Sequence, residues 1–227
     1  MFYFDWTYLL IIPGLLLGLW AQHKVNSTYQ QYSRIATRLS QPASAVVADL
    51  LRRNGNYNVS VGRVAGQLTD HYNPGTETLN LSEGVYGSAS VAALGIAAHE
   101  AGHAMQKQEG YAPLMLRTAI VPAVNICSML STPLFFIGLL FTWEALTTLG
   151  IILFAASTVF ALVTLPVEFN ASSRAVKMLT DGGYVTRDEE QGVRAVLNAA
   201  ALTYVASAVT SLLSLLRLVM ISNRRRR

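Results

Sequence analysis

The sequence predicts a mainly α-helical integral membrane protein with a small β-hairpin and three to four transmembrane helices. Three observations carry that reading. The 227-residue chain is 52% hydrophobic and only 13% charged, against a usual charged share of about 25%. Two long stretches, 118–143 and 145–167, contain no Asp, Glu, Lys, Arg or His. Between two strand-like runs stands Asn73-Pro74-Gly75-Thr76, a strong turn signal.

Each uncharged stretch is long enough to cross a hydrocarbon core, which needs about 20 apolar residues. Glu144 separates them, so 118–167 reads as a tight helical hairpin. Pro122 and Pro133 interrupt its first arm, a kink that neighbouring membrane helices tolerate. A further span runs over about 7–22. It has the length of a signal-peptide core but no basic n-region and no small-residue cleavage site, so it reads as an uncleaved anchor. Trp6, Tyr8 and Trp20 suit its interfaces. The fourth candidate, about 199–222, is rich in Ala and Ser and contains Arg217; it either spans or packs against the membrane part.

The segment 23–117 is hydrophilic. Ser40 to Asn54 fits an amphipathic helix, with Pro42 near its start and Gly55 after its end. Val59 and Val61 alternate like a strand. After Leu79-Asn80-Leu81, a small-residue helix starts near Ser88 or Ser90. The connector 168–198 holds a capping box, Thr186-Arg-Asp-Glu189, that predicts a helix start running on into the fourth apolar segment. The whole reads as one domain. The lone Cys127 lies in an apolar run and excludes an internal disulfide.

Positive charge sets orientation. Residues 23–117 carry eight Lys and Arg, the turn at 144 none, and residues 168–198 carry Arg174, Lys177, Arg187 and Arg194. The consistent solution places both hydrophilic segments in the cytoplasm. Arg224 to Arg227 run against it if the fourth segment crosses. Because the basic residues flank apolar segments, the net charge of +4 points to a lipid bilayer rather than to nucleic acid.

The chemistry is concentrated in AAHEAGHAM, Ala97 to Met105. His99, Glu100 and His103 form H-E-x-x-H. Residues four apart share a helix face, so the two imidazoles can meet one zinc ion, and Glu100 at the edge of that face can act as general base on the metal's water. The other reading is a helix with two structural histidines. Two of only four histidines fall in this spacing, and the flanks Ile96, Ala97, Ala98, Ala101, Gly102 and Ala104 are small and uncharged. Gly102 lowers helix stability by about 1 kcal/mol relative to Ala, which predicts close packing of another element there. Gln106, Lys107, Gln108 and Glu109 follow within two turns and predict a wet helix end.

Glu168, directly after the hairpin, is the expected third ligand. An acidic residue at a membrane boundary needs a partner, and the hairpin returns the chain to the face it left. Its alternative is a helix-end carboxylate paired with Arg174. Glu109 and His71 fit less well.

These motifs resemble the YugP-like family of bacterial membrane zinc metallopeptidases. The resemblance covers the N-terminal anchor with Gln22-x-Lys24-Val25, LTDHYNP, LNLSEGVYG, AAHEAGHAMQ and VEFNASSRA, in order. More distantly, HEAGH with a later E-x-x-A is similar to the HtpX-type and CAAX-prenyl-protease-type enzymes. Those enzymes imply Glu168 as the third ligand and usually carry Asp where this chain has Ser172. The resemblance implies a zincin-like (gluzincin) fold: an active-site helix, a glutamate-bearing helix and an edge strand for substrate.

Strand addition would place an extended peptide along Thr78 to Ser82. A tetrahedral intermediate needs a hydrogen-bond donor or cation near the metal. His71, Tyr204 and Arg174 are the candidates. Asp70 could orient His71 or complete the turn, and Asn170 could stand behind the ligands or cap a helix. The expected activity is a zinc-dependent endopeptidase with one zinc ion. It acts on peptides or membrane proteins from the bacterial cytoplasmic membrane, with its site facing the cytoplasm. The competing class is a non-proteolytic membrane scaffold with a structural zinc. A deeper, intramembrane-cleaving site is disfavoured by the polar end of the motif helix.

Overall fold

The structure, a computed structural model, describes residues 6–225. Arg226 and Arg227 of the basic tail lie outside the described residues. The order of elements is a 3-10 turn at Trp6–Leu10, α1 (Ile12–Tyr32), α2 (Ala43–Arg53), β1 (Ser60–Val64), β2 (His71–Asn73), β3 (Thr78–Ser82), α3 (Glu83–Tyr86), α4 (Val91–Gln108), α5 (Ala112–Leu140), α6 (Glu144–Asp181) and α7 (Arg187–Arg225). The protein is mainly helical with one three-stranded sheet, and four helical stretches are long and apolar enough to cross a membrane. The chain divides into two compact units, one from the described parts of 1–22, 116–166 and 202–227, the other from 23–115 and 167–201.

The first unit holds the apolar stretches. Its hairpin closes through residues 141–143, where Thr142 takes a positive φ of 52°. The two arms approach at glycine: a Cβ on Gly150 would stand 2.6 Å from the backbone nitrogen of Phe135, whose ring is fully buried. Small residues at such points let membrane helices close on van der Waals contact. Thr158 Oγ1 and Ser211 Oγ share a hydrogen bond of 2.8 Å between α6 and α7. Arg217 is satisfied locally, its Nε donating to Thr7 Oγ1 at 3.1 Å and its guanidinium lying 3.9 Å from the Tyr8 ring centroid. The fourth apolar stretch is part of the single 39-residue helix α7.

The second unit has the protein's hydrophobic core. The amphipathic helix α2 buries Val46, Val47, Leu50 and Leu51, and Gly55 follows it at φ +75°. Leu79 and Leu81 of β3 point into the same core, as two-residue alternation requires. The expected turn forms: the backbone N–H groups of Gly75 and Thr76 donate to Asn73 Oδ1. It joins β2 and β3 antiparallel, with Tyr72 opposite Leu79. The strand order is β1-β3-β2, with β1 parallel to β3. Thr78–Ser82 is therefore the central strand and not the edge expected from sequence. The parallel partner β1 covers its other side, a non-local pairing that local sequence pattern does not reveal.

Ser90 caps α4, its Oγ accepting from Ala93 N–H. The Thr186–Glu189 capping box starts α7: Thr186 N–H donates to Glu189 Oε2 at 2.7 Å, and Glu189 N–H to Thr186 Oγ1 at 3.4 Å. The close packing expected at Gly102 is present. A Cβ there would stand 2.5 Å from the carbonyl oxygen of Ala171 on α6. Gly102→Ala gains about 1 kcal/mol of helix propensity but meets backbone that has no rotamer by which to move aside. Overpacking of this kind costs about 1–3 kcal/mol. The variant is expected to unfold at lower temperature than the parent in detergent, and a raised midpoint would contradict the packing argument.

Candidate metal centre

The α4–α6 contact at Gly102 decides where the polar side chains meet. One turn before Ala171 stands Glu168; on α4, His99 and His103 lie on either side of Gly102. Glu168 is only 2% exposed. Its Oε2 lies 3.2 Å from His99 Nε2 and 3.6 Å from His103 Nε2. The two rings stand edge to face, centroids 4.8 Å apart at 84°. Donor atoms from all three residues fall within 4.8 Å of one another.

These separations suit a small tetrahedral cation. Two ligand atoms on zinc at bonds near 2.0–2.1 Å stand about 3.4 Å apart. Two imidazoles and a carboxylate are also a zinc donor set with a fourth position open. Burial pushes the His103 imidazole pKa down, but hydrogen bonding to Glu168 and the charges of Glu100 and Glu168 outweigh it, leaving the pKa raised. The pocket thus draws positive charge to this spot, which a divalent cation supplies.

Glu100, next to His99, is held by the sheet: its Oε2 accepts the Tyr72 N–H of β2 at 2.9 Å. Lys107 ties the end of α4 to the β2–β3 turn, donating to Pro74 O at 2.5 Å and to Glu77 Oε1 at 2.7 Å.

The other sequence candidates lie elsewhere. His71 is exposed on the strand, its Nδ1 2.9 Å from Thr69 O and its Nε2 3.3 Å from Asn80 Nδ2. Asp70 neither orients it nor completes the turn; it accepts from the backbone N–H and hydroxyl of Ser82 at 2.8 and 2.9 Å. Burial pushes the Asp70 carboxyl pKa up against those bonds. Arg174 pairs with Glu109 at 2.7 Å, not with Glu168. Tyr204 belongs to the unit of apolar helices, where it lines a cavity of about 750 Å³ rimmed with hydroxyls such as Ser157, Thr164 and Ser207.

Sequence reasoning missed two residues. Ser172 Oγ stands 3.1 Å from His99 Nδ1, so this position does contact a candidate ligand here. Gln106, part of the helix end that the sequence predicts to be wet, is fully buried, with Oε1 3.0 Å from His103 Nδ1. Its i+3 spacing from His103 places it on the ligand face and was the available signal.

Residues 7–223 match the model of a family described as "Putative neutral zinc metallopeptidase". The chain is 48% identical over 212 residues to "Putative membrane protease YugP" of Bacillus subtilis (strain 168), covering 93% of this chain and 94% of that protein. No solved structure matches the chain.

Glu168→Ala removes the buried oxygen donor of the candidate set. Purified variant protein is expected to lose most of its zinc relative to the parent when metal content is measured after dialysis. Equal zinc in the two would exclude Glu168 from the ligand set.

Proposed function

Because the chain belongs to the neutral zinc metallopeptidase family, we propose that it is a membrane-anchored endopeptidase that hydrolyses peptide bonds with one zinc held by His99, His103 and Glu168. The observation that carries this reading is the convergence of those three donors, with Glu100 adjacent. When bound, zinc supplies Lewis acidity, polarising a carbonyl and lowering the pKa of water to about 7.

The chain's own residues do the remaining work. Glu100 takes the proton of the attacking water as oxygen adds to the carbonyl carbon. The same carboxylic acid then delivers that proton to the amide nitrogen as the C–N bond breaks. Before substrate binds, Tyr72 N–H holds that carboxylate in place. This amide points to Glu100 rather than into the ladder with β3, so it lies on the open side of β2, an edge of the sheet. An extended peptide adding to that edge would take the Tyr72 N–H with a carbonyl oxygen, leaving Glu100 unoccupied and basic. Binding and activation of the base are then one event.

The anchor and the apolar helices hold the enzyme in the bacterial cytoplasmic membrane, and the distribution of Lys and Arg favours a site facing the cytoplasm. Glu168 follows directly on the uncharged stretch 145–167, which is by itself long enough to cross a hydrocarbon core of about 30 Å, and this supports a site at the interface and proteins or peptides at the membrane surface as substrates.

Glu100→Gln is expected to retain parental zinc and to lose hydrolysis of an unstructured model protein by at least about hundredfold, the usual contribution of a general base. Zinc retained with undiminished cleavage would remove Glu100 as the base, whereas a zinc-loaded parent that cleaves nothing would leave a scaffold with a structural metal. For sidedness, Gln108→Cys in a Cys127→Ser background gives one exposed thiol beside the site. An impermeant maleimide should label it in inside-out vesicles and not in right-side-out ones; the reverse pattern would place the site outside.

A further inference from the structure

Behind the three donors runs a chain of polar side chains contained in the second unit. Arg174 donates from Nη1 to Glu109 Oε1 at 2.7 Å and from Nε to Asn170 Oδ1 at 2.7 Å. Gln106 Nε2 donates to the same Asn170 Oδ1 at 3.0 Å and to Val167 O at 2.8 Å. Gln106 Oε1 then faces His103 Nδ1 at 3.0 Å.

The donors and acceptors in this chain are forced. A guanidinium can only donate, and a backbone carbonyl can only accept. Arg174 therefore fixes Asn170 Oδ1 as an acceptor. Asn170 and the Val167 carbonyl together fix the Gln106 amide with its NH2 towards α6. The two ends of an amide are interchangeable unless neighbours of fixed polarity decide; here two such neighbours do. The remaining Gln106 oxygen must accept, so the hydrogen sits on His103 Nδ1. The neutral ring then carries its lone pair on Nε2, the nitrogen that lies 3.6 Å from Glu168. His99 differs: its Nδ1 meets the Ser172 hydroxyl, which can donate or accept and so fixes nothing.

We propose that Gln106, held by Asn170 and Arg174, is the positioning residue that sets the tautomer of His103 and thereby the zinc affinity of the site. The proposal rests on the zinc reading above and adds a determinant of it that H-E-x-x-H does not contain. It also gives Arg174 and Asn170 their place: they fix the polarity of Gln106 from behind. Gln106 reaches Val167 and Asn170, the residues on either side of the stretch that carries Glu168, so the same amide locks the spacing between the ligands on α4 and the one on α6.

The test uses full-length protein in detergent, with zinc affinity from chelator competition and 15N-histidine spectra of the zinc-loaded state. The chain has four histidines, so the spectrum is simple to assign. The parent should show a His103 Nδ1–H that exchanges slowly with water. Gln106→Met keeps the length of the side chain and removes the acceptor. It is expected to bind zinc about 10–100-fold more weakly, the usual cost of losing a ligand's outer partner, and to lose the slow exchange. Gln106→Glu restores an acceptor but loses both donor bonds, so it should melt lower than the parent while regaining the slow Nδ1–H and most of the zinc affinity. Parental affinity in Gln106→Met, or affinities that follow melting temperature instead of the acceptor, overturns the proposal. If Gln106→Met does not fold, Gln106→Glu decides alone: a rapidly exchanging Nδ1–H in its zinc-loaded state overturns it. Failure of the parent itself to bind zinc would instead sink the zinc reading.

Discussion

The buried carboxylate of Glu168 is the constraint on which the rest depends. A charge with 2% exposure is costly by several kcal/mol unless it is paired and hydrogen-bonded. Both imidazoles of the motif helix lie within reach of its Oε2. Neutral imidazoles answer that charge only in part; against burial, hydrogen bonding to Glu168 and the charges of Glu100 and Glu168 raise the His103 pKa. A divalent cation completes it better, because it satisfies the carboxylate and both ring lone pairs at once. Everything nearby can be read as holding this arrangement: Gly102 lets α4 close on Ala171, and the small residues around the motif are the surface on which α6 lies.

The architecture gives each ligand a rigid base. His99 and His103 project from an 18-residue helix whose inner face is alanine and glycine, and Glu168 projects from a 38-residue helix that has already run through an apolar stretch. Sites built on helices hold geometry better than sites built on loops. The sheet contributes position to the catalytic side, through the Tyr72 amide on Glu100 and the Lys107 bonds to the β2–β3 turn. The proposed metal ligands and the proposed base therefore have different neighbours, α6 for the first and β2 for the second.

Much of this was legible in the residues, for reasons that are local. The i, i+4 spacing of His99 and His103, the Asn73 turn, the Thr186–Glu189 capping box and the uncharged hairpin each depend on a few neighbouring residues. Glu168 was legible because a hairpin must return the chain to the side it left. The failures are non-local. That Thr78–Ser82 lies in the middle of the sheet follows from its parallel pairing with β1, across an intervening strand. That Tyr204 lines a cavity among apolar helices, and not the unit of His99, His103 and Glu168, follows from the division of α7 after Ala201. The burial of Gln106 is illegible for a subtler reason: polarity predicts exposure, while a fully hydrogen-bonded amide can be buried outright.

Gln106 also shows why such a polar residue survives in a core where apolar packing would serve. An apolar side chain of the same size would fill the space, but it would leave the buried His103 Nδ1–H without its acceptor, while Asn170 Oδ1 keeps only Arg174 and Val167 O only its place in α6. Each unsatisfied buried group costs about 1–3 kcal/mol, more than the packing could return. With the amide present, all three are bonded, and the chain ends on an Arg174–Glu109 pair at the surface where water can screen it. A half-satisfied network would be worse than none. This one is closed at both ends, at solvent by Arg174 and Glu109 and at the ligand by His103, so its burial is compatible with stability and its directionality passes undiluted to the imidazole.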